Sequence, residues 1–314
     1  MPKPLIYIII VNWNGKQDTL ECLASLEKVS YPNFKTIIID NGSQDDSVSS
    51  IKKAYPDVTM IPTHQNLGFA EGNNVGIRYA LSSGADYLLL LNNDTVVDTH
   101  FLDAFVTQND DIMGSKLYQY KDKNRFDHLG GNWNKQKGHF DLIGANQIDQ
   151  GQYDIPLDVD YVCGAGLFAK RSVFEKTGPL EPLFFLYWEE SDFCARAKKQ
   201  GFTIKTCPQS KIYHKVSASF SGGKPHTTYY NWRGRLLFVK RNCTFKEKCR
   251  LMRKIFFPEI LKIYRHSLLK QLQSLANPEK RKDLQTLKSA KQGIKDFTYN
   301  RFGIAPNSIF QNKT

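Results

Sequence analysis

Long apolar runs and cysteine pairs are both missing from this sequence of 314 residues. No hydrophobic stretch approaches the roughly 20 residues that a membrane-spanning helix needs, so we expect no such helix. The six cysteines form no Cys-x-x-Cys pair and are too sparse for a disulfide scaffold. This usage is typical of free thiols in a reducing compartment, and we therefore expect the protein to reside in the cytoplasm.

Several catalytic motifs are also missing. The chain has no Walker P-loop, no His-Glu-x-x-His and no Gly-x-Ser-x-Gly pattern, which argues against ATPases, zinc proteases and esterases of those classes. One Gly-x-Gly-x-x-Ala match runs from Gly164 to Ala169, but the next helix is predicted to start after it, at Ser172. We interpret these small residues as space for a sugar or diphosphate to approach the backbone.

Acidic residues are scarce in the C-terminal part of the chain. The net charge is +12, but residues 1–239 carry 25 Lys and Arg against 26 Asp and Glu, and residues 240–314 carry 18 against 5. The excess positive charge therefore lies in the tail, and the rest of the chain gives no reason to expect nucleic-acid binding. Two amphipathic helices are predicted from residue 258 onward, with a break at 277–278.

A basic amphipathic tail, here residues 241–314, favours the surface of an anionic membrane. We accordingly expect a peripheral position on the inner face of the plasma membrane. The alternative is that the tail helices pack on the rest of the protein and expose a basic, solvated face.

The first ninety residues alternate short apolar runs with helical patterns. Strands are predicted at 5–11, 35–40, 58–62 and 87–91, with helices at 17–28, 45–54 and 70–83. Strands this uniformly apolar suit a parallel sheet covered on both faces, in which ligands bind beyond the carboxyl ends of the strands. Residues 118–160 are polar and weakly periodic, which indicates a long excursion from the sheet.

Short polar side chains follow three of the predicted strands, at the edge where a ligand is expected. They are Asn12 and Asn14, then Asp40 and Asn41, then Asn92, Asn93 and Asp94. Asp40 could accept hydrogen bonds from a nucleobase or ribose, or could be an ordinary turn residue. The triplet that ends at Asp94 offers oxygen ligands for Mg²⁺ or Mn²⁺, although such a triplet can also be a plain turn.

A further cluster of polar residues, Glu189, Glu190 and Asp192, lies at the start of a predicted helix. Crowded carboxylates raise at least one pKa, which could tune one of them into a general base. The alternative is that they complement the helix dipole, with Asp192 pairing with Arg196. His214 follows another predicted strand and could complete a metal site, or be an ordinary packed histidine.

Six blocks of this chain, in this order, resemble the inverting glycosyltransferases of family 2 with the GT-A fold. Within that family the likeness is to bacterial rhamnosyltransferases and galactofuranosyltransferases, and it covers roughly residues 4–240. The blocks are Val11-Asn12-Trp13-Asn14-Gly15, Asp40-Asn41-Gly42-Ser43-Gln44-Asp45, Asn66-Leu67-Gly68-Phe69-Ala70 with Gly72-Asn73-Asn74, Leu91-Asn92-Asn93-Asp94, Cys163-Gly164-Ala165-Gly166, and Trp188-Glu189-Glu190-Ser191-Asp192.

The resemblance implies roles for particular residues. Asp40 would contact the nucleobase, Asp94 would bind a divalent cation (Mn²⁺ or Mg²⁺) with His214, and Glu190 would be the general base. The other residues expected to bind the nucleotide-sugar are Asn12, Asn14, Asn41, Asn66, Gly68, Asn73, Asn92, Asn93, Gly164 and Arg233. Arg233 could close over the diphosphate or anchor the tail.

Two positions depart from the family pattern. The metal-binding triplet reads Asn-Asn-Asp, with one carboxylate, and relatives usually carry Asp where this chain has Glu190. A Glu side chain is one methylene longer than Asp, so the choice of base among Glu189, Glu190 and Asp192 stays open.

The resemblance implies an α/β fold of the GT-A type, with a mixed, mainly parallel sheet flanked by helices and a C-terminal amphipathic helical extension. The catalytic domain would span 1–240, with a donor half at 1–110 and an acceptor half at 111–240, and the tail would span 241–314. Such an enzyme moves a sugar from a nucleoside-diphosphate donor to a hydroxyl of a glycan or lipid-linked acceptor in the synthesis of cell-surface polysaccharide.

Two other functions compete with this interpretation. A nucleotidyltransferase could share the sheet, but such enzymes typically carry a basic, Gly-rich loop after the first strand, where this chain has one basic residue, Lys16. A nucleic-acid-binding protein could use the basic tail, but its aromatic residues follow helical spacing instead of forming stacking patches on a sheet.

Overall fold

A computed structural model describes residues 3–215, 224–276 and 281–310. The strands are β1 (Ile6–Asn12), β2 (Phe34–Asp40), β3 (Thr59–Pro62), β4 (Tyr87–Asn92), β5 (Thr95–Val97), β6 (Ile112–Gln119), β7 (Asp122–Phe126), β8 (Gly131–Asn134), β9 (His139–Leu142), β10 (Gly166–Lys170) and β11 (Ile204–His214). The helices are α1 (Lys16–Leu26), α2 (Ser47–Ala54), α3 (Gly68–Ser82), α4 (Phe101–Gln108), α5 (Arg171–Thr177), α6 (Glu189–Lys199), α7 (Pro225–Asn242), α8 (Phe245–Leu251), α9 (Phe257–Ala276), α10 (Arg281–Thr298) and α11 (Asn307–Phe310).

One mixed sheet organises the chain, in the order β3-β2-β1-β4-β10-β6-β11-β5, with β7 paired to β6. Strands β1 to β4 run parallel, whereas β10 is antiparallel to both of its neighbours, β4 and β6. The expected mixed α/β sheet is therefore confirmed. The strands and helices predicted between residues 5 and 91 are all present, with ends that differ by two residues or fewer.

Alternate residues of the central strands fill two separate cores. On β1, Ile6, Ile8 and Ile10 face the core beneath α1 and α4, and Tyr7 and Ile9 face the core beneath α3 and α6. This is the arrangement that a strand buried on both faces requires, and it explains the uninterrupted apolar run. The carboxyl ends of β1, β2 and β4 consequently lie at one edge of the sheet, where their polar residues meet.

The structure corrects the predicted boundaries in the second half of the chain. Helix α5 begins at Arg171 after Lys170, without a side-chain cap, one residue before the start predicted at Ser172. The predicted strand before His214 is β11, which runs from Ile204 and keeps pairing with β6 across an irregularity between Cys207 and Lys211. The polar excursion at 118–160 contains β7 and the β8–β9 hairpin. The break predicted at 277–278 lies outside the described residues.

The tail helices pack against α7 through a buried arginine. The Arg233 side chain is 1% exposed, and its guanidinium donates hydrogen bonds to the Tyr229 hydroxyl (3.1 Å) and to the carbonyls of Gly303 (2.7 Å) and Phe184 (3.3 Å). Of its two predicted roles, Arg233 therefore anchors the tail. Its guanidinium does not reach a ligand site, because internal acceptors already occupy it. Among helices within the described ranges, none combines the length and apolar character that crossing a membrane requires.

Replacing Arg233 with Met should lower the free energy of unfolding by about 2–4 kcal/mol, because three buried acceptors lose a charged donor. Urea denaturation measures the loss. Arg253 is exposed, and no hydrogen bond or ion pair is recorded for it in the described part of the chain, so Arg253→Met is the matched control. Equal stability of the two variants would contradict the anchoring role.

Candidate functional site

A cavity of about 470 Å³ opens at the carboxyl edge of the sheet. It brings together ten of the residues predicted from the sequence: Asn41, Asn66, Gly68, Asn92, Asn93, Asp94, Gly164, Glu189, Glu190 and His214. These residues come from six separate stretches of the chain, which the sheet topology collects at one place. The other six predicted residues, Arg233 among them, lie outside the cavity wall.

Asp94 and His214 form one end of the cavity. Asp94 lies in the turn between β4 and β5, and β11 pairs with β5 so that His214 lies opposite Thr95. His214 Nε2 is 3.3 Å from Asp94 Oδ1, and His214 Nδ1 is 2.8 Å from Asp127 Oδ2. A carboxylate and an imidazole whose second nitrogen contacts another carboxylate is an arrangement that divalent cations use in proteins.

The neighbouring amide supports this interpretation. Asn92 Nδ2 lies 3.5 Å from His214 Nε2, and Asn92 Oδ1 is buried with no hydrogen-bond partner among the described residues. Buried polar atoms normally find a partner, so this oxygen has an unmet hydrogen-bonding capacity beside the Asp94–His214 pair. The described residues contain no group of three or more His, Cys, Asp or Glu side chains suited to hold a metal. Asp94 and His214 alone offer two ligands of types that divalent cations accept, and a bound substrate or water would have to supply the others.

The same end of the cavity attracts positive charge. Burial lowers the pKa of His214, but hydrogen bonds and charge interactions with Asp127 and Asp94 outweigh it and raise that pKa to about 9. Burial raises the pKa of Asp94, but its contacts with His214 dominate, and the pKa is lowered. Asp94 thus remains ionised, and a cation that used His214 Nε2 as a ligand would displace the imidazole proton.

Two buried carboxyl groups, Glu189 and Glu190, line another part of the cavity. They open α6 directly after Tyr187 and Trp188, whose φ angles of 67° and 77° reverse the chain. One carboxyl oxygen of each Glu is buried without a hydrogen-bond partner in the described part of the protein. Each of these oxygens therefore lacks the hydrogen bond that a buried carboxyl oxygen normally has.

Burial gives the two carboxyl groups different acidities. Desolvation, with added repulsion from Glu190, raises the pKa of Glu189 well above its ordinary value. Desolvation also raises the pKa of Glu190, to about 7. Hydrogen bonds from backbone amides, including the Gly164 N–H, lower this pKa and so limit the rise. Near neutral pH, Glu190 can therefore exchange a proton with a bound molecule.

Asp192 does not belong to the cavity. Its side chain is fully buried, and it accepts hydrogen bonds from Arg196 Nε (2.8 Å), Arg241 Nε (2.9 Å) and Asn242 Nδ2 (2.8 Å). The structure thus makes Asp192 the centre of an ion-pair network between α6 and α7. Its prediction as a catalytic candidate is corrected, because its acceptor positions are taken by these donors.

The remaining predicted residues hold the loops of the cavity without lining it. Asn12 Nδ2 donates to Asp40 Oδ1 (3.0 Å), which joins the ends of β1 and β2, and both side chains are buried. Asn14 has a φ of 50° and accepts a hydrogen bond from the Gln44 N–H (2.7 Å). Asn73 donates to the Phe69 carbonyl (2.9 Å) inside α3.

Asp127 and most of the apolar cavity wall were not predicted from the sequence. Asp127 lies in the weakly periodic segment at 118–160, where no local pattern marks it, and only its distance to His214 reveals it. The missed wall residues are aromatic or aliphatic: Trp13, Phe69, Phe185, Leu186, Tyr187, Tyr230 and Ile304. Ile304 could not be inferred, because it reaches the cavity only through the docking of the tail.

Comparisons with known proteins give a consistent result. The sequence model described as Glycosyl transferase family 2 matches residues 7–178. The chain is 22% identical over 254 residues to the dTDP-rhamnosyl transferase RfbF of Shigella flexneri, covering 76% of this chain and 80% of the relative. Its sequence is thus similar to that relative over most of both chains.

Solved structures share the fold. The mannosyltransferase PcManGT from Pyrobaculum calidifontis, solved in complex with GDP-Man and Mn²⁺, superposes with a TM-score of 0.58 at 13% identity, covering 96% of this chain and 89% of that one. GalNAc-T7, solved with UDP, GalNAc and Mn²⁺, gives 0.59 at 12% identity, covering 76% of this chain. This chain spans 48% of the GalNAc-T7 chain. The expected GT-A fold is confirmed.

Proposed function

The chain belongs to glycosyl transferase family 2. From this premise we propose that it transfers a rhamnose-like sugar or another hexose from a nucleoside-diphosphate donor to a hydroxyl of a glycan or lipid-linked acceptor. The transfer inverts the configuration at the anomeric carbon. The observation that carries the proposal is the single cavity in which the Asp94–His214 pair and the Glu190 carboxyl group both lie. A rhamnose-like sugar is favoured by the similarity to RfbF, whose name specifies dTDP-rhamnose chemistry. The family match gives no support to the nucleotidyltransferase or nucleic-acid-binding alternatives.

Glu190 is the residue that we propose to accept the acceptor proton. Its raised pKa keeps it both partly ionised near neutral pH and basic enough to take a proton as the oxygen attacks the anomeric carbon. Attack from the face opposite the departing diphosphate inverts the configuration at that carbon. Burial and repulsion from Glu190 raise the pKa of Glu189 as well, which favours its protonated form.

Asp94 and His214 would hold a divalent cation, Mn²⁺ or Mg²⁺, which supplies positive charge against the diphosphate. Asp127 fixes the orientation of the imidazole by accepting a hydrogen bond from Nδ1, which leaves Nε2 directed at Asp94 and the cavity. Asn41 holds the loop at the base of the cavity by accepting a hydrogen bond from the Leu67 N–H (2.9 Å).

In this proposal, residues 1–240 form the catalytic unit, with the donor bound mainly by 1–110 and the acceptor mainly by 111–240. The basic tail, 241–314, would contact an anionic membrane surface, and the enzyme would work at the inner face of the plasma membrane in cell-surface polysaccharide synthesis. The charge of the tail supports this position, since cations are attracted to the anionic lipids of that leaflet.

A screen of sugar nucleotides, with Mn²⁺ or Mg²⁺ present, tests the proposed reaction. We expect turnover of at least one donor, loss of turnover with a chelator, and a kcat lowered about 10²- to 10⁴-fold by Glu190→Gln, since the amide cannot accept a proton. Glu27 is exposed, and Glu27→Gln is the control for loss of one carboxylate. Full activity of Glu190→Gln would remove this residue from the mechanism.

The role assigned to Asp127 predicts a change in cation affinity. Asp127→Asn should raise the Mn²⁺ concentration for half-maximal turnover about 10- to 100-fold, because the imidazole loses its orienting carboxylate. At saturating Mn²⁺ the kcat should recover towards the wild-type value. Asp122→Asn removes a carboxylate from the same segment, where it pairs with Arg125, and should leave the Mn²⁺ requirement unchanged. Identical Mn²⁺ curves for the two variants would rule the assignment out.

A further inference from the structure

We propose that one face of the tail, built from α9 and α10, is a docking surface for a bilayer of anionic phospholipid. This inference deepens the membrane contact of the proposed function and names the residues that make it. Its apolar part is the α9 ridge, which we define as Phe257, Leu261, Tyr264 and Leu268. These four side chains are 65%, 60%, 44% and 62% exposed, and their spacing of four, three and four residues places them on one stripe of the helix.

The α9 ridge is not needed for packing the tail on the protein. A different stripe of the same helix does that, because Ile260 and Ile263 pack against the core that α7 and α10 share, and Ser267 is buried. The helix therefore carries one apolar stripe that the fold uses and another that it leaves exposed. A contiguous exposed apolar stripe is a typical mark of an interaction surface.

A basic groove adjoins the ridge. We define the lysine groove as Lys288, Lys291 and Lys295, which recur at i, i+3 and i+7 on α10 and line a cavity of about 570 Å³ together with Tyr264. Lys291 Nζ lies 4.7 Å from the centre of the Tyr264 ring, so ridge and groove meet at this tyrosine. The three lysines could bind the phosphate of a lipid headgroup while the adjoining apolar ridge contacts its acyl chains.

The surrounding charges reinforce this match. Arg253, Lys254, Lys262 and Arg265 are exposed near the ridge, and none of them forms an ion pair within the described ranges. The acidic side chains of the tail that the structure describes are all engaged elsewhere: Glu247 caps α8 and pairs with Lys135, Glu259 pairs with Arg235, and Asp296 is buried beneath Tyr229. The outward field of this face is therefore positive.

Charge also decides between a bilayer and a second copy of this chain. Two copies joined through the α9 ridge would bring like cations together, which is unfavourable. An anionic bilayer instead neutralises the cations while it accepts the apolar side chains, and each Lys or Arg near such a surface adds to binding.

Vesicle flotation of the full chain tests the surface. The vesicles contain phosphatidylcholine, alone or mixed with phosphatidylglycerol. We expect binding to the mixed vesicles only, weakening as salt is raised. The ridge variant Leu261→Ser/Leu268→Ser and the groove variant Lys288→Gln/Lys291→Gln/Lys295→Gln should each weaken binding by at least about tenfold.

Matched controls change the same residue types elsewhere. Ile148→Ser/Ile155→Ser removes side chains that are 50% and 69% exposed outside the tail, and Lys28→Gln/Lys52→Gln/Lys53→Gln removes three exposed cations from the catalytic unit. Both controls should bind as the wild type does. Binding that is lost equally in tail variants and controls, or retained in both tail variants, would overturn the proposal.

Two further measurements distinguish the membrane-docking surface from a dimer interface and from the proposed sugar transfer. The molar mass in solution should stay the same in the wild type and the ridge variant, and a dimer that the ridge variant dissociates would assign this face to a second copy. Turnover of a sugar nucleotide without vesicles should be equal in all variants. Wild-type protein that binds anionic vesicles but turns over no donor would refute the proposed reaction and leave the docking surface standing.

Discussion

The Asp192 carboxylate is fully buried, and hydrogen bonds from Arg196, Arg241 and Asn242 surround it. Two of these donors belong to α7, so the contact joins α6, whose first turn contains Glu190, to the helix on which the tail packs. A buried carboxylate that lost these partners would be strongly unfavourable, which limits how far α6 and α7 can separate. The position of Glu190 in the cavity, and that of the tail wall around Ile304, both depend on this contact.

The cavity combines opposite electrostatic demands in a small volume. At one end, Asp94 and Asp127 surround His214 and favour positive charge. In another part, Glu189 and Glu190 share a buried environment that disfavours two negative charges, and their pKa values rise. Groups whose surroundings separate their acidities in this way can take different parts in one reaction. A diphosphate leaving group suits the first region, and an acceptor hydroxyl that must lose a proton suits the second.

Local sequence patterns predicted much of the sheet and of the edge at which the cavity lies. Apolar strands followed by polar turns were sufficient to predict the parallel β1–β4 region and the edge where Asp94 lies, because strand period and turn chemistry act over a few residues. The Arg196 partner of Asp192 was predicted from its spacing, but Arg241, which is 49 residues from Asp192, and Gly303, which is 70 residues from Arg233, were not predictable. Asp127 is 87 residues from His214, in a segment without a regular pattern. Contacts across such separations depend on the tertiary fold, which single-sequence patterns do not encode.

The central claim is that burial turns Glu190 into a base that works near neutral pH. The pH dependence of kcat/KM reports the ionisation of the free enzyme and tests this claim most directly. Because the base must be deprotonated, kcat/KM should fall as the pH drops through the pKa of about 7. A profile that stays flat through neutral pH and falls only near the ordinary pKa of an exposed glutamate would contradict it.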